Sequence, residues 1–200
     1  QYLPESAFPS QVTATEPKEI TLQFTQGQLT GINNHHYANN VEAIQALSAI
    51  ASPFGIGRDI HVGDTIIGIK GRVGFEAAAP LLIIKAHHLL EKHTLGKWQQ
   101  YWKEQMGNWY GMMLHEGQYL DPVMRDIESF LEHTQERVNG TVFIKLYPYR
   151  FELHGVDSPH DMMRSKMGQY GEMNNAWSGE DAKGFTKIAA IAGKIYGASK

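Results

Sequence analysis

The sequence contains no cysteine. That absence removes disulfides, thiolate metal sites and cysteine nucleophiles together, and it fits a reducing compartment. Long apolar runs are missing as well. Stretches such as Pro80-Leu81-Leu82-Ile83-Ile84 are far too short to cross a bilayer, which argues against a membrane partner. No basic region followed by an apolar stretch marks the N-terminus, so a secretory leader is not in view. Charge of one sign is also lacking. A formal balance of -3 and a pI near 6.4 give no broad basic field, which argues against nucleic acid as a partner. The remainder is ordinary for a globular chain. Of 200 residues 42% are hydrophobic and 20% charged, enough for one well-buried core or at most two small ones. The chain opens on Gln1 rather than Met, which predicts a fragment of a longer protein.

Residues 1–17 hold Pro4, Pro9 and Pro17 among serines and threonines and read as an extended linker. Ile20, Leu22 and Phe24 alternate with polar residues as in a half-buried strand, and Gln26-Gly27 predicts the turn into a second strand with Leu29 and Ile32. Asn39 and Asn40 stand as N-caps before Val41, Ile44, Leu47 and Ile50, a row at helical spacing that Pro53 and Gly55 end. From His61 to Lys70 the pattern predicts two strands about a tight turn at Gly63-Asp64. Ala77 to Leu90 reads as a largely buried helix. Thr94 is positioned to cap the next, which carries Trp98, Tyr101, Trp102, Gln105 and Trp109 about one turn apart. Asp121-Pro122 starts a helix with Val123, Ile127, Phe130 and Leu131 on one stripe. Val142, Ile144, Leu146, then Tyr149, Phe151 and Leu153, predict a hairpin about Pro148. Residues 160–180 read as irregular, and Ile188, Ile191 and Ile195 end the chain on a helix. Local strand pairs separated by runs of helices predict an α+β fold, with a mixed or antiparallel sheet packed against helices.

Ten histidines invite a metal site. On a helix, however, His87 and Glu91 share a face while His88 and His93 point elsewhere, so the densest group does not converge as zinc ligands do. Leu114-His115-Glu116-Gly117 lacks the second histidine of a zincin motif, and His35-His36 reads as solvated beside a turn. No metal ligands are therefore assigned. Gly55-Ile56-Gly57-Arg58 is a weak phosphate signal, because it follows a helix and leads into a strand; a helix stop that needs positive φ is the plainer reading. Arg58 and Arg72 flank a strand pair among Gly68, Gly71 and Gly74, where small residues let a ligand or another backbone approach. For Arg72 the residues leave substrate contact and structural pairing level. The aromatic row from Trp98 to Tyr110 reads as a core or subunit seam rather than a stacking platform, since no arginines interleave it.

Taken together, these landmarks resemble argininosuccinate synthase from about Glu19 to Tyr196. Gly55-Ile56-Gly57-Arg58 resembles that family's G-[IV]-G-R, and Gly68-Ile69-Lys70-Gly71-Arg72 its G-[IM]-K-x-R. Ala86-His87 with Leu90-Glu91 and Thr94-Leu95 is similar to its long helix and T-[LM] turn. Thr134 to Val142 is similar to its S-Q-E-x-V-x-G-x-V stretch, and Ser158-Pro159 with Asp181-Ala182-Lys183-Gly184-Phe185 to the segment before its C-terminal helix.

The resemblance implies a cytoplasmic, homotetrameric carbon-nitrogen ligase of arginine biosynthesis. ATP would adenylate the ureido oxygen of citrulline, and the aspartate amine would displace AMP; the enzyme then mainly positions groups and stabilises charge. It further implies that ATP and Mg are bound by a missing N-terminal ATP-binding domain, since the S-G-G-x-D-[ST] loop does not occur here. Residues 1–17 would be the linker from that domain, 18–180 the substrate-completing and multimerisation domain, and 181–200 a C-terminal helix. That helix would reach a neighbouring subunit as an oligomer arm, or pack on its own. No catalytic residue is expected in the fragment, which would be inactive alone. Substrate-binding residues are expected at Asp64, Arg72, Phe75 and Glu76. Here the sequence departs from the family: Gly63 and Phe75 stand where a Glu and a Tyr hold the amino-acid end of citrulline, and Ala77 and Ala78 replace the residues after Glu76. Losing a carboxylate and a hydroxyl removes an ammonium partner and a hydrogen bond. Either Asp64 supplies the charge, or the substrate is a citrulline with a blocked amine. The departures also support a non-catalytic relative that serves as an oligomerisation or small-molecule-binding module.

Overall fold

The structure, a computed structural model, describes residues 3–164 and 176–199. The chain divides into two units, Gln1–Asp161 and Met162–Lys200. In the first, strands β1 (Lys18–Thr25), β2 (Gln28–Ile32), β3 (His35–His36), β6 (Gly140–Tyr147) and β7 (Arg150–Asp157) form one antiparallel sheet in the order β3-β2-β1-β6-β7. Strands β4 (Arg58–Asp64) and β5 (Lys70–Glu76) form a separate antiparallel pair. Helices α1 (Asn40–Ala51), α2 (Ala78–Thr94), α3 (Lys97–His115) and α4 (Pro122–Gln135) complete the unit. The fold is α+β.

The period-2 pattern of β1 explains the core. Ile20, Leu22 and Phe24 are buried, and Leu22 lies opposite both Ile32 and Val142, so one row of side chains crosses three strands. The turn at Gln26-Gly27 has both central residues at positive φ, as a two-residue hairpin of this twist requires. Asn139 Oδ1 accepts from the Gln26 N–H at 2.8 Å and steadies that unusual backbone.

Helix α2 lays Ala78, Ala79, Leu82, Ala86 and Leu90 on the sheet, as its apolar run predicts. In α1 the buried face is Ala43, Leu47 and Ala51, while Val41 and Ile44 are exposed. The expected row is therefore turned by part of a helical step, because small alanines let α1 lie close to α2 and β2. Asn39 caps it, accepting from the Glu42 N–H at 3.0 Å. Thr94 does not cap α3: it ends α2, where its buried hydroxyl donates to Leu90 O, and Gly96 is the N-cap. Asp121 caps α4 as expected, but Met124 joins Ile127 on the buried stripe while Phe130 is exposed. The aromatic row of α3 is no core seam of this unit, for α3 has no buried residue and Trp98, Tyr101, Trp102 and Trp109 are exposed.

In the second unit the C-terminal helix is present as two runs, α5 (Gly179–Ala189) and α6 (Ile191–Ala198), joined at Ala190. Ser178 and Asp181 form a reciprocal cap at its start. Ile188, Ile191 and Ile195 are exposed. The expectation of irregular structure over 160–180 falls largely on 165–175, outside the described residues. Among the described residues no helix is long and apolar enough to cross a membrane.

Candidate functional site

The expected substrate residues all ride on the β4–β5 hairpin, whose turn differs from the sequence expectation. The chain does not reverse at Gly63-Asp64; those residues lie within the strand pair, Gly63 opposite Gly71 and Asp64 opposite Lys70. Reversal comes at Thr65–Ile69. There the Thr65 hydroxyl accepts from the Ile69 N–H at 3.1 Å, Thr65 O accepts from the Gly68 N–H at 2.8 Å, and Gly68 takes φ +80°. Ile66 and Ile67 consequently sit at the tip, 71% and 78% exposed, instead of opening the second strand.

Register then sorts the candidate residues by face. Arg58, Ile60, Val62 and Asp64 pair with Glu76, Gly74, Arg72 and Lys70 and share one side, while His61, Gly63, Val73 and Phe75 lie on the other. The hairpin thus brings Asp64, Arg72 and Glu76 to a common face and sends Phe75, exposed, to the opposite one. Asp64 pairs with Lys70 at 2.5 Å near the tip, whereas Glu76 lies at the base, four residues from Arg72 or roughly 13 Å at 3.3 Å per residue.

Glu76 is committed locally. Its Oε2 accepts from Arg58 Nε at 3.0 Å, and both side chains are only 6% exposed. The other arms of the guanidinium reach the Glu5 carboxylate and the Ser10 carbonyl, and its plane lies 4.6 Å over the Phe8 ring. Burial pulls the Arg58 pKa down, yet hydrogen bonds to Glu76 and Glu5 and their charges outweigh it and hold it above that of a free guanidinium. The preceding stretch is equally structural. Gly55 and Gly57 take φ +67° and +80°, and a Cβ on Gly57 would lie 2.5 Å from the backbone of Ala77. Nothing in Gly55–Arg58 is therefore left to cradle a phosphate: its arginine is engaged, and its glycines serve a reversal and a close backbone approach.

Residues 5–196 match the family described as Arginosuccinate synthase C-terminal domain. The chain belongs to that family. It is 32% identical over 193 residues to the argininosuccinate synthase of Xanthomonas campestris, covering 96% of this chain and 47% of the relative. The enzyme of that name from Dictyoglomus turgidum is 34% identical over 184 residues, covering 90% and 45%. That of Methanocaldococcus jannaschii is 31% identical over 172 residues, covering 84% and 43%. The chain therefore spans less than half the length of these relatives.

In this argininosuccinate synthase domain, the stretches that carry the resemblance fall on packing joints as well as on the hairpin. Gln135, from the stretch that precedes β6, joins α4 to α2: its Nε2 donates to Glu91 Oε1 at 2.9 Å, and its Oε1 accepts from His87 Nε2 at 2.7 Å. Because Oε1 only accepts, that His87 nitrogen carries the hydrogen. Glu91 is wholly buried and also receives Lys103 of α3. Burial lowers the His87 pKa from 6.5, against the pull of Glu91 and with a further push from Lys103. As a sequence pattern His87 and Glu91 present a metal-ligand pair to be weighed and a family landmark, but not this joint. Its signal was a carboxylate at a core position of the apolar α2 pattern. Ser158 likewise fastens the β6–β7 end, its hydroxyl donating to Asn139 O at 2.6 Å. Among the described residues no three His, Asp or Glu side chains gather as metal ligands would. His93 is held by Asp161 at 3.0 Å and His88 lies 3.6 Å from Glu104.

Proposed function

We propose that the chain is the C-terminal, substrate-completing part of an argininosuccinate synthase. In that protein, citrulline and aspartate condense at the expense of ATP to argininosuccinate, AMP and pyrophosphate. The observation that carries the reading is membership of residues 5–196 in that family, with the two arginine motifs at either end of the β4–β5 hairpin. ATP and Mg belong to an N-terminal ATP-binding domain. On this reading the ATP-binding loop lies in that domain, and this chain alone is inactive. The protein works in the cytoplasm as a homotetramer, and the exposed stripe of α5 and α6 supplies an arm to a neighbour.

On the hairpin, Asp64 and Arg72 are the substrate-facing groups of the proposal, and Glu76 fixes the base of their face. Phe75, on the opposite face, cannot join them at one point unless the ligand wraps an edge of the two-stranded sheet. Gly63 in place of a carboxylate leaves Asp64 as the acidic group for an ammonium, or favours a citrulline whose amine is acylated.

The test is AMP release by the full-length protein with ATP and aspartate, comparing citrulline with N-acylated citrullines. Turnover with plain citrulline establishes the ligase, and Asp64→Ala is then expected to raise its KM. Turnover only with an acylated form moves the substrate and releases Asp64 from that role. No turnover with any of them would favour a non-catalytic binding module.

A further inference from the structure

The segment before β1 is fastened to the hairpin rather than strung past it. Arg58 reaches Glu5, Phe8 and Ser10 from the base of β4 while holding Glu76 of β5. Farther up the same face, Leu3 lies against Gly74, where an added Cβ would run into its Cδ1. At the other end of the segment, the Thr13 and Ala14 N–H groups donate to Pro53 O at 3.0 Å, and Val12 packs on Gly55. The strap therefore covers the lower part of the face that carries Glu76, Gly74, Arg72 and Asp64.

The hairpin needs such an anchor. Among the described residues no third strand continues the β4–β5 sheet, and a two-stranded hairpin is marginally stable by itself. Where its upper face points is decided at the base, by whatever fixes Glu76 and Gly74. Arg58 touches both strands and the strap, and its planar fork can hold three partners in a fixed arrangement that an ammonium cannot reproduce.

We infer that Arg58 is a positioning residue: by tying the Leu3–Ala14 strap to Glu76 it sets the placement of the Arg72 and Asp64 face toward the ureido substrate. This rests on the ligase reading above. It differs from a purely structural role for Arg58 in what it changes, namely the fit of one substrate and not the integrity of the fold.

The experiment uses the full-length protein with Arg58→Lys and, because a buried arginine variant can fail to fold, Glu5→Gln. The second removes the strap's carboxylate from Arg58 at an exposed side chain and leaves the arginine and its bond to Glu76 in place. Steady-state AMP release gives kcat and the KM for the ureido substrate, ATP and aspartate; limited proteolysis reports cleavage within residues 3–17; thermal unfolding reports the fold. Both variants are expected to expose the strap to protease and to raise the KM for the ureido substrate about tenfold, below the ~100-fold that a 1 Å misplacement of reacting groups can cost. The KM for ATP and the melting temperature are expected to stay near those of the parent. A freed strap with an unchanged ureido KM overturns the inference, and so does a uniform loss of all parameters together with the melting temperature in Glu5→Gln. If the unaltered protein releases no AMP with any ureido substrate, the ligase reading itself has failed and the positioning role falls with it.

Discussion

Lys103 of α3 reaches across to Glu91 of α2 and meets its carboxylate at 2.9 Å, at a place where Glu91 has no exposed surface at all. The pair ties together two helices that follow one another in the chain, and Gln135 brings in a third. A buried carboxylate with this many donors is stable; the same carboxylate without its ammonium is not. Lys103→Met is expected to lower the unfolding free energy by about 3 kcal/mol, and pairing it with Glu91→Leu to recover most of that loss. Urea unfolding of the two variants distinguishes a true pair from two independent side chains, because independence would make the losses add.

His87 supplies an acid-sensitive element. Burial holds its pKa below 6.5, so the unfolded chain takes up a proton there at a higher pH than the folded chain does. The stability contributed by neutral His87 is complete above 6.5 and declines as pH falls through that value toward the folded pKa. Urea midpoints measured from about pH 7.5 down to about pH 5 should therefore fall less steeply in His87→Gln than in the parent. Equal slopes would assign the acid loss to other groups.

Gly107 and Gly111 stand inside α3 with nothing within 4 Å of where a Cβ would sit. A glycine in a helix interior costs about 1 kcal/mol relative to alanine, and no neighbour among the described residues requires it here. Gly107→Ala is expected to stabilise the protein by about 0.5–1 kcal/mol in thermal unfolding. A destabilised variant would instead mean that another surface approaches α3 at that point.

The α1 cap gives a smaller and cleaner number. Asn39 Oδ1 accepts from the Glu42 N–H, and Glu42 returns the contact through the Asn39 amide at 2.8 Å. Asn39→Ala is expected to cost about 1 kcal/mol. Asn39→Asp should retain most of it, which differential scanning calorimetry can resolve.

Much of the main sheet is legible in the sequence because its signals are local. Ile20, Leu22 and Phe24 alternate, Gln26-Gly27 has turn chemistry, and Asp121-Pro122 marks a helix start. The errors have local causes too. A hydrophobic pattern misplaces the α1 face because Ala43 and Ala51 weigh little beside Val41 and Ile44, although small residues are what a close helix contact selects. Gly63-Asp64 looks like a turn dipeptide and misplaces the hairpin turn, while the decisive group, the Thr65 hydroxyl, bonds the Ile69 N–H four residues on.

The candidate site was less legible. That Phe75 and Glu76 must face apart follows from strand period alone once β5 is granted. The joining of Arg58 to Glu5 and Ser10 does not, because the partners lie about fifty residues apart and no short-range pattern marks them. Residues 1–17 have the composition of a linker, and only the packed structure shows where such a stretch comes to rest.

The separateness of the β4–β5 pair has one more consequence. Its strand hydrogen bonds are not buried within a larger sheet, so they open without requiring the core to open. Backbone amides of Ile60 to Gly74 should exchange with deuterium in a fast subset, well ahead of those of Leu22 and Ile144 in the main sheet, and a bound ureido substrate should slow that subset first. The residues proposed to meet the substrate are thus carried on a pair with little protection of its own, where binding has order left to impose.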